Sequence, residues 1–125
     1  MRYTTEHHWL RAESGFVVIG ITPFAVAQLG TLMFVELPQM GETVTMGDEV
    51  AVVESSKAVS DIPAPITGEI VALNPAVLGN PALINDDPMG DGWLFKMNVL
   101  SPAEIDPMMD EALYQTFTSG AQSKN

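Results

Sequence analysis

Val52-Val53-Glu54-Ser55-Ser56-Lys57-Ala58-Val59-Ser60-Asp61 is the stretch that decides how this chain folds. Two short apolar runs flank a polar Glu-Ser-Ser-Lys step, the pattern of two strands meeting at a tight turn with a lysine at its tip. Lys57 is one of three lysines in a chain with 16 acidic and five basic residues. A solvated hairpin lysine is the bland reading. A lone cation on an exposed turn of so acidic a chain also reads as a lysine kept available for modification.

Outward from the hairpin the chain reads mostly as strand. Phe16-Val17-Val18-Ile19-Gly20-Ile21 is short and β-branched. Thr22 then caps a short helix over 23–29, with Pro23 at its first position and Gly30 just past its end. Residues 32–37 return to strand, and Pro38 ends it. The middle of the chain carries a weak repeat. Gly41-Glu42-Thr43-Val44 and Gly68-Glu69-Ile70-Val71 each open a valine strand, turn at a second glycine (Gly47, Gly79) and re-enter an apolar strand. The repeat predicts two small sheets related by a pseudo-two-fold, with Lys57 between them. Ile62-Pro63-Ala64-Pro65-Ile66 reads as an edge or a loop, because proline cannot donate to a neighbouring strand.

Residues 93–99 form the last clear strand. Ser101-Pro102-Ala103-Glu104 is a capping-box pattern, and Asp106-Pro107 repeats the start signal. A C-terminal helix is therefore expected through 108–117, docking Met109, Leu113 and Phe117 on the sheet. The expected fold class is mainly β, a barrel-sandwich hybrid of two small sheets, with a helix near 23–29 and one at the C-terminus. The length suits a single domain over 1–125 with a frayed polar tail from about 118 to 125.

Composition narrows the function. The formal net charge is −11, which repels nucleic acid and anionic membrane surfaces alike. Such acidity suits transient docking on basic patches of larger partners, or solubility alone. No apolar stretch approaches a membrane span. The first eight residues resemble neither a signal peptide nor a transit peptide. The expected location is cytoplasmic (bacterial), or the mitochondrial matrix if a leader has been removed. The absence of cysteine excludes disulfides, thiolate nucleophiles and Cys-ligated metals.

Few residues suggest chemistry of their own. His7 and His8 are adjacent, so in an extended segment they face opposite ways and cannot chelate one metal; one surface histidine and one packed near Trp9 is the expectation. The acidic loop Asp86-Asp87-Pro88-Met89-Gly90-Asp91-Gly92 lacks calcium-ligand spacing and reads as a turn. Neither a nucleophile triad nor a phosphate-binding glycine motif is present, so catalytic and metal sites are expected to be none.

Several ordered segments together resemble the H proteins of the glycine cleavage system, relatives of the biotinyl and lipoyl domains. They are Tyr3-Thr4-x-Glu6-His7-x-Trp9, Gly20-Ile21-Thr22, Gln28-Leu29-Gly30 and Val35-Glu36-Leu37-Pro38-x-x-Gly41. Then come Val53-Glu54-Ser55-x-Lys57-Ala58-Val59-Ser60-Asp61, Ala64-Pro65-x-x-Gly68-Glu69, Asn85-x-Asp87-Pro88 and Gly92-Trp93-Leu94. The resemblance implies that Lys57 is the lipoylated residue, and that Glu54 and Gly68 are read by the lipoyl/octanoyl transferase or lipoate ligase. It further implies lipoate as the cofactor, bound as N6-lipoyllysine. Ser56 stands where the family usually has valine, and Thr5 and His8 replace residues that are commonly charged.

By the same resemblance, a monomeric, non-catalytic carrier accepts an aminomethyl group from glycine decarboxylase (P protein) and passes it on to the aminomethyltransferase (T protein). It is then reoxidised by dihydrolipoyl dehydrogenase (L protein). An amide on Lys57 removes its charge, and with no cysteine in the chain the arm is the only reactive sulfur. A groove is expected to shelter the loaded arm between partners. A lipoyl relay or storage protein for other lipoylated complexes needs the same lysine and is the alternative. A biotin carrier is disfavoured, because Ser56 and Ala58 stand where biotinylated lysines typically have methionines. A structural module without the modification would retain the fold alone.

Overall fold

The computed structural model describes residues 1–122, with side chains through residue 119. The chain runs β1 (Arg2–Tyr3), β2 (His8–Glu13), β3 (Phe16–Ile21), α1 (Pro23–Leu29), β4 (Leu32–Glu36), β5 (Thr43–Val44), β6 (Glu49–Ser55) and β7 (Val59–Pro63). It continues through β8 (Gly68–Leu73), α2 (Pro75–Gly79), α3 (Ala82–Asp86), β9 (Phe95–Val99) and α4 (Glu111–Gln122). Six strands form one sheet in the order β1-β2-β3-β9-β8-β5, and three form a second in the order β4-β6-β7.

The strand patterns explain this arrangement. Val17, Ile19 and Ile21 point to one face of β3 and join Leu10, Val35, Val53, Ile70 and Phe95 in a core supplied by both sheets. Val18 points the other way and packs with Tyr3, Trp9 and Tyr114. The six-stranded sheet is thus covered on both faces, which is why β3 reads as a continuous apolar run rather than an alternating one. At about 1.5–3 kcal/mol for each fully buried large apolar side chain, these clusters supply the main drive for closure. Helix α1 forms as its signals predict. Thr22 Oγ1 accepts from Ala25 N at 3.4 Å, Pro23 opens the helix, and Gly30 closes it at φ +83°.

Three expectations need correction. The second unit of the apparent repeat does not re-enter a strand: residues 75–79 and 82–86 are the helices α2 and α3. The cause is a cap, since Asn74 Oδ1 accepts from Ala76 N at 3.2 Å with Pro75 at the first position. Lys57 does not lie between the two sheets, because its hairpin joins β6 and β7 of the three-stranded sheet.

The C-terminal helix also starts later than its sequence signals suggest. Glu104 does not close a capping box; its carboxylate accepts from Thr67 N at 2.6 Å and Thr67 Oγ1 at 2.9 Å, leaving a single 3₁₀ turn over Pro102–Glu104. Met109 exchanges backbone hydrogen bonds with Tyr3, and Asp110 Oδ1 caps α4 by accepting from Leu113 N at 2.9 Å. That offset turns Leu113 outward, 60% exposed, and Tyr114 becomes the docking residue. Residues 118–122 lie within α4, and 123–125 lie outside the described residues.

Candidate functional site

The Lys57 turn is built by one hydroxyl. Ser55 is buried at the end of β6, and its Oγ accepts from Lys57 N at 3.3 Å and from Ala58 N at 3.2 Å. Ser55 N donates to Ala58 O at 2.8 Å and closes the turn. The lysine backbone is therefore fixed while its side chain is exposed. The ion pairs among the described residues are Arg11–Glu13 and Lys96–Glu13, so Lys57 takes part in neither.

Strand register sets what surrounds it. Glu54 pairs across the sheet with Phe34 on β4 and Val59 on β7. All three face outward, Phe34 being 50% and Val59 65% exposed. Val53 on β6, one residue back, faces the core. On the other side of the hairpin the Lys57 stem lies over the turn between α1 and β4. A Cβ at position 30 would sit 3.0 Å from Lys57 Cε.

A cleft of about 220 Å³ opens beside this turn, walled by Glu6, His8, Ala25, Leu29, Ser60 and Asp61 among others. Leu29 immediately precedes Gly30, and Ser60, on β7, lies three residues past Lys57, so the cleft is walled by segments that adjoin the lysine. His8 is 2% exposed on its wall. Burial, helped by the neighbouring His7, pushes its imidazole down to about 4. It is therefore neutral at neutral pH, with Thr4 Oγ1 3.2 Å from Nδ1. Glu6 and Asp61 are the acidic groups of the lining.

His7 departs from the extended backbone expected of the His-His pair. It has φ +69° and is half-buried, with Nδ1 2.7 Å from the Tyr114 hydroxyl. Tyr114 OH also lies 2.6 Å from Thr22 Oγ1. One phenol thereby ties the N-terminal loop, the cap of α1 and α4 together.

The structure brings Glu54 and Lys57 together on one hairpin and leaves Gly68 apart from them. Gly68 is buried on β8 in the six-stranded sheet, where a side chain would collide with the Asn98 carbonyl of β9. A packing reason thus accounts for glycine at that position. The sequence implied a groove without its lining residues, and it did not show the contact between Gly30 and Lys57. No local pattern pairs Leu29 or Gly30 with the hairpin.

Comparison with known proteins shows the family of the chain. The family described as glycine cleavage H-protein matches residues 1–121. The chain is 43% identical over 122 residues to a glycine cleavage system H protein of Parvibaculum lavamentivorans, covering 98% of each. It is 46% identical over 117 residues to that of Methylocella silvestris, covering 94% of each. Among solved structures, a glycine cleavage system H protein of Mycobacterium marinum superposes with a TM-score of 0.85 at 38% identity, over 94% of both chains. With an exposed, backbone-fixed lysine on its hairpin and likeness over nearly its whole length, the chain belongs to the glycine cleavage H-protein family.

Proposed function

We propose that this chain is a lipoyl carrier of the glycine cleavage system, with Lys57 as the attachment residue. The observation that carries the reading is the Lys57 turn itself, where Ser55 fixes the backbone and the amine is exposed with no ion-pair partner among the described residues. Bound there as an amide, lipoate would supply a dithiolane able to take up an aminomethyl group and, after its release, the electrons of a dithiol.

The chain contributes position, docking and shelter, and no catalytic group. Glu54, exposed between Phe34 and Val59, offers the enzymes that act on Lys57 an acidic mark inside an apolar row. Gly68 contributes to that recognition through the strand packing it permits, since it is buried. Beside the hairpin, Glu6 and Asp61 make the cleft favour a cationic amino group over an anion. Tethering on Lys57 would raise the local concentration of the carried group at each docked partner. Those partners are glycine decarboxylase, the aminomethyltransferase, dihydrolipoyl dehydrogenase and the lipoylating enzymes. A single domain, a monomeric state and a cytoplasmic location complete the proposal. No helix among the described residues is long and apolar enough to cross a membrane.

The test is the mass of the tryptic peptides from protein made in its native host. An amidated Lys57 resists trypsin, so Ala12 to Lys96 is expected as one peptide carrying a lipoyl group. Clean cleavage after an unmodified Lys57, with the host's lipoylating enzymes active, would overturn the proposal.

A further inference from the structure

Gly30 and Asn85 are 55 residues apart in the chain and meet beneath Lys57. Gly30 adopts φ +83° and ψ −162°, a conformation that side chains disfavour. A Cβ there would lie 3.0 Å from Lys57 Cε, 3.6 Å from Nζ and 3.8 Å from Cδ. The end of the lysine therefore runs over bare glycine backbone. Asn85, on α3, grips the same turn at two points. Its Nδ2 donates to Gly30 O at 2.8 Å, and its Oδ1 accepts from Leu32 N at 2.8 Å. Leu32 in turn pairs with Ser55, whose hydroxyl holds the Lys57 backbone. A single amide thus braces both the surface under the lysine and the strand beside its hairpin.

We propose that Gly30 is a seat for the Lys57 side chain and that Asn85 is the positioning residue holding it, so that Nζ meets the acylating enzyme from a set direction. The inference rests on the reading of Lys57 as the acylated residue. A methyl group at position 30 would displace only the far end of a flexible side chain, so the contact itself adds little to stability. What it changes is where Nζ sits. In transfer from lipoyl-adenylate, Nζ bonds to the acyl carbon and the acyl–phosphate bond breaks. AMP leaves with the bonding pair, and the amine releases its proton to solvent. The rate of that step depends on the approach of Nζ, and misplacement by about 1 Å can cost on the order of 10²-fold. The outward row around Glu54 is untouched, so binding of the enzyme is expected to stay the same.

Gly30 also ends α1 with a positive φ, and backbone strain alone would make any substitution there unfavourable. Asn85→Asp, which leaves the glycine in place, separates the two effects, with Gly15 as a control for positive φ. Gly15 has the same φ of +83°, and a Cβ there would have nothing within 4 Å. The experiment compares wild type, Gly30→Ala, Gly15→Ala and Asn85→Asp as full chains, using a lipoate ligase with lipoate and ATP. Initial rates are read by intact mass, the site by tryptic peptides, and Tm alongside.

Both glycine variants should lose Tm, while Gly30→Ala alone shows kcat lowered roughly tenfold at unchanged KM. Asn85→Asp retains the acceptor for Leu32 N but sets an oxygen against Gly30 O. It should lower kcat by roughly threefold or more, also at unchanged KM. Equal kcat for Gly30→Ala and Gly15→Ala, or an effect confined to KM, overturns the seat. Should Gly30→Ala fail to fold, Asn85→Asp decides, and an unchanged kcat there overturns it as well. A wild-type chain that takes no lipoyl group at Lys57 overturns the reading of the lysine and the seat with it.

Discussion

Lowering the pH should expose how the cleft treats His8. Its folded value of about 4 lies below the ordinary 6.5, so the unfolded chain takes up the proton first. Stability from this residue is therefore complete above about pH 6.5 and is lost as the pH falls toward 4. Between pH 7.5 and 5 the loss amounts to about 2 kcal/mol. Other ionisable groups add their own pH dependence to both chains, so the useful quantity is the difference between wild type and His8→Gln. Urea unfolding at both pH values should show wild type losing about 2 kcal/mol more than the variant. An NMR titration of the histidine side chains should find His8 neutral down to about pH 4. A His8 that titrates near or above 6.5, with a pH-independent difference between the two chains, would refute the reasoning. It would mean that the Glu6 and Asp61 carboxylates across the cleft outweigh burial.

Two further substitutions test the packing that holds the site in place. Tyr114→Phe removes the hydroxyl shared by His7 and Thr22; a loss of about 1–2 kcal/mol is expected, and an unchanged Tm would dismiss the tie between α4 and the N-terminal loop. Gly20→Ala would place a Cβ 2.6 Å from the indole of the fully buried Trp9, whose Nε1 donates to Pro88 O at 2.9 Å. Overpacking there should cost about 1–3 kcal/mol in urea unfolding, and a change below about 0.5 kcal/mol would show that the ring can move aside.

The features legible in the sequence are those whose hydrogen bonds close within a few residues. Thr22, Pro23 and Gly30 bracket α1 because cap, first turn and stop all act locally. The Lys57 turn is legible for the same reason, since Ser55 needs only Lys57 and Ala58 to form it. Where a distant partner competes, local rules mislead. Glu104 has the spacing of a capping box, yet Thr67 offers two hydrogen bonds from 37 residues away and takes the carboxylate. The error at residues 75–86 is of another kind. Asn74-Pro75 carries the same local start signal as Thr22-Pro23, and the apparent glycine-valine repeat concealed it.

Gly30 shows why a site is harder to read than a fold. Its local role, ending α1 at positive φ, fully explains a glycine at that position and gives no reason to seek another. Gly15 also takes a positive φ, at the β2–β3 turn, where an added Cβ would have nothing within 4 Å. Two glycines at positive φ therefore differ in what they can do, and the difference is a lysine stem that reaches one of them. Sequence patterns report what a residue permits its own backbone to adopt. Which neighbour uses the space so created depends on the register of β4 against β6 and on the Asn85 clamp, neither of which leaves a periodic trace. If Gly30 and Asn85 seat the Lys57 side chain as proposed, the lysine supplies the amine and these two residues set its direction, a part that emerges only once the chain has closed around them.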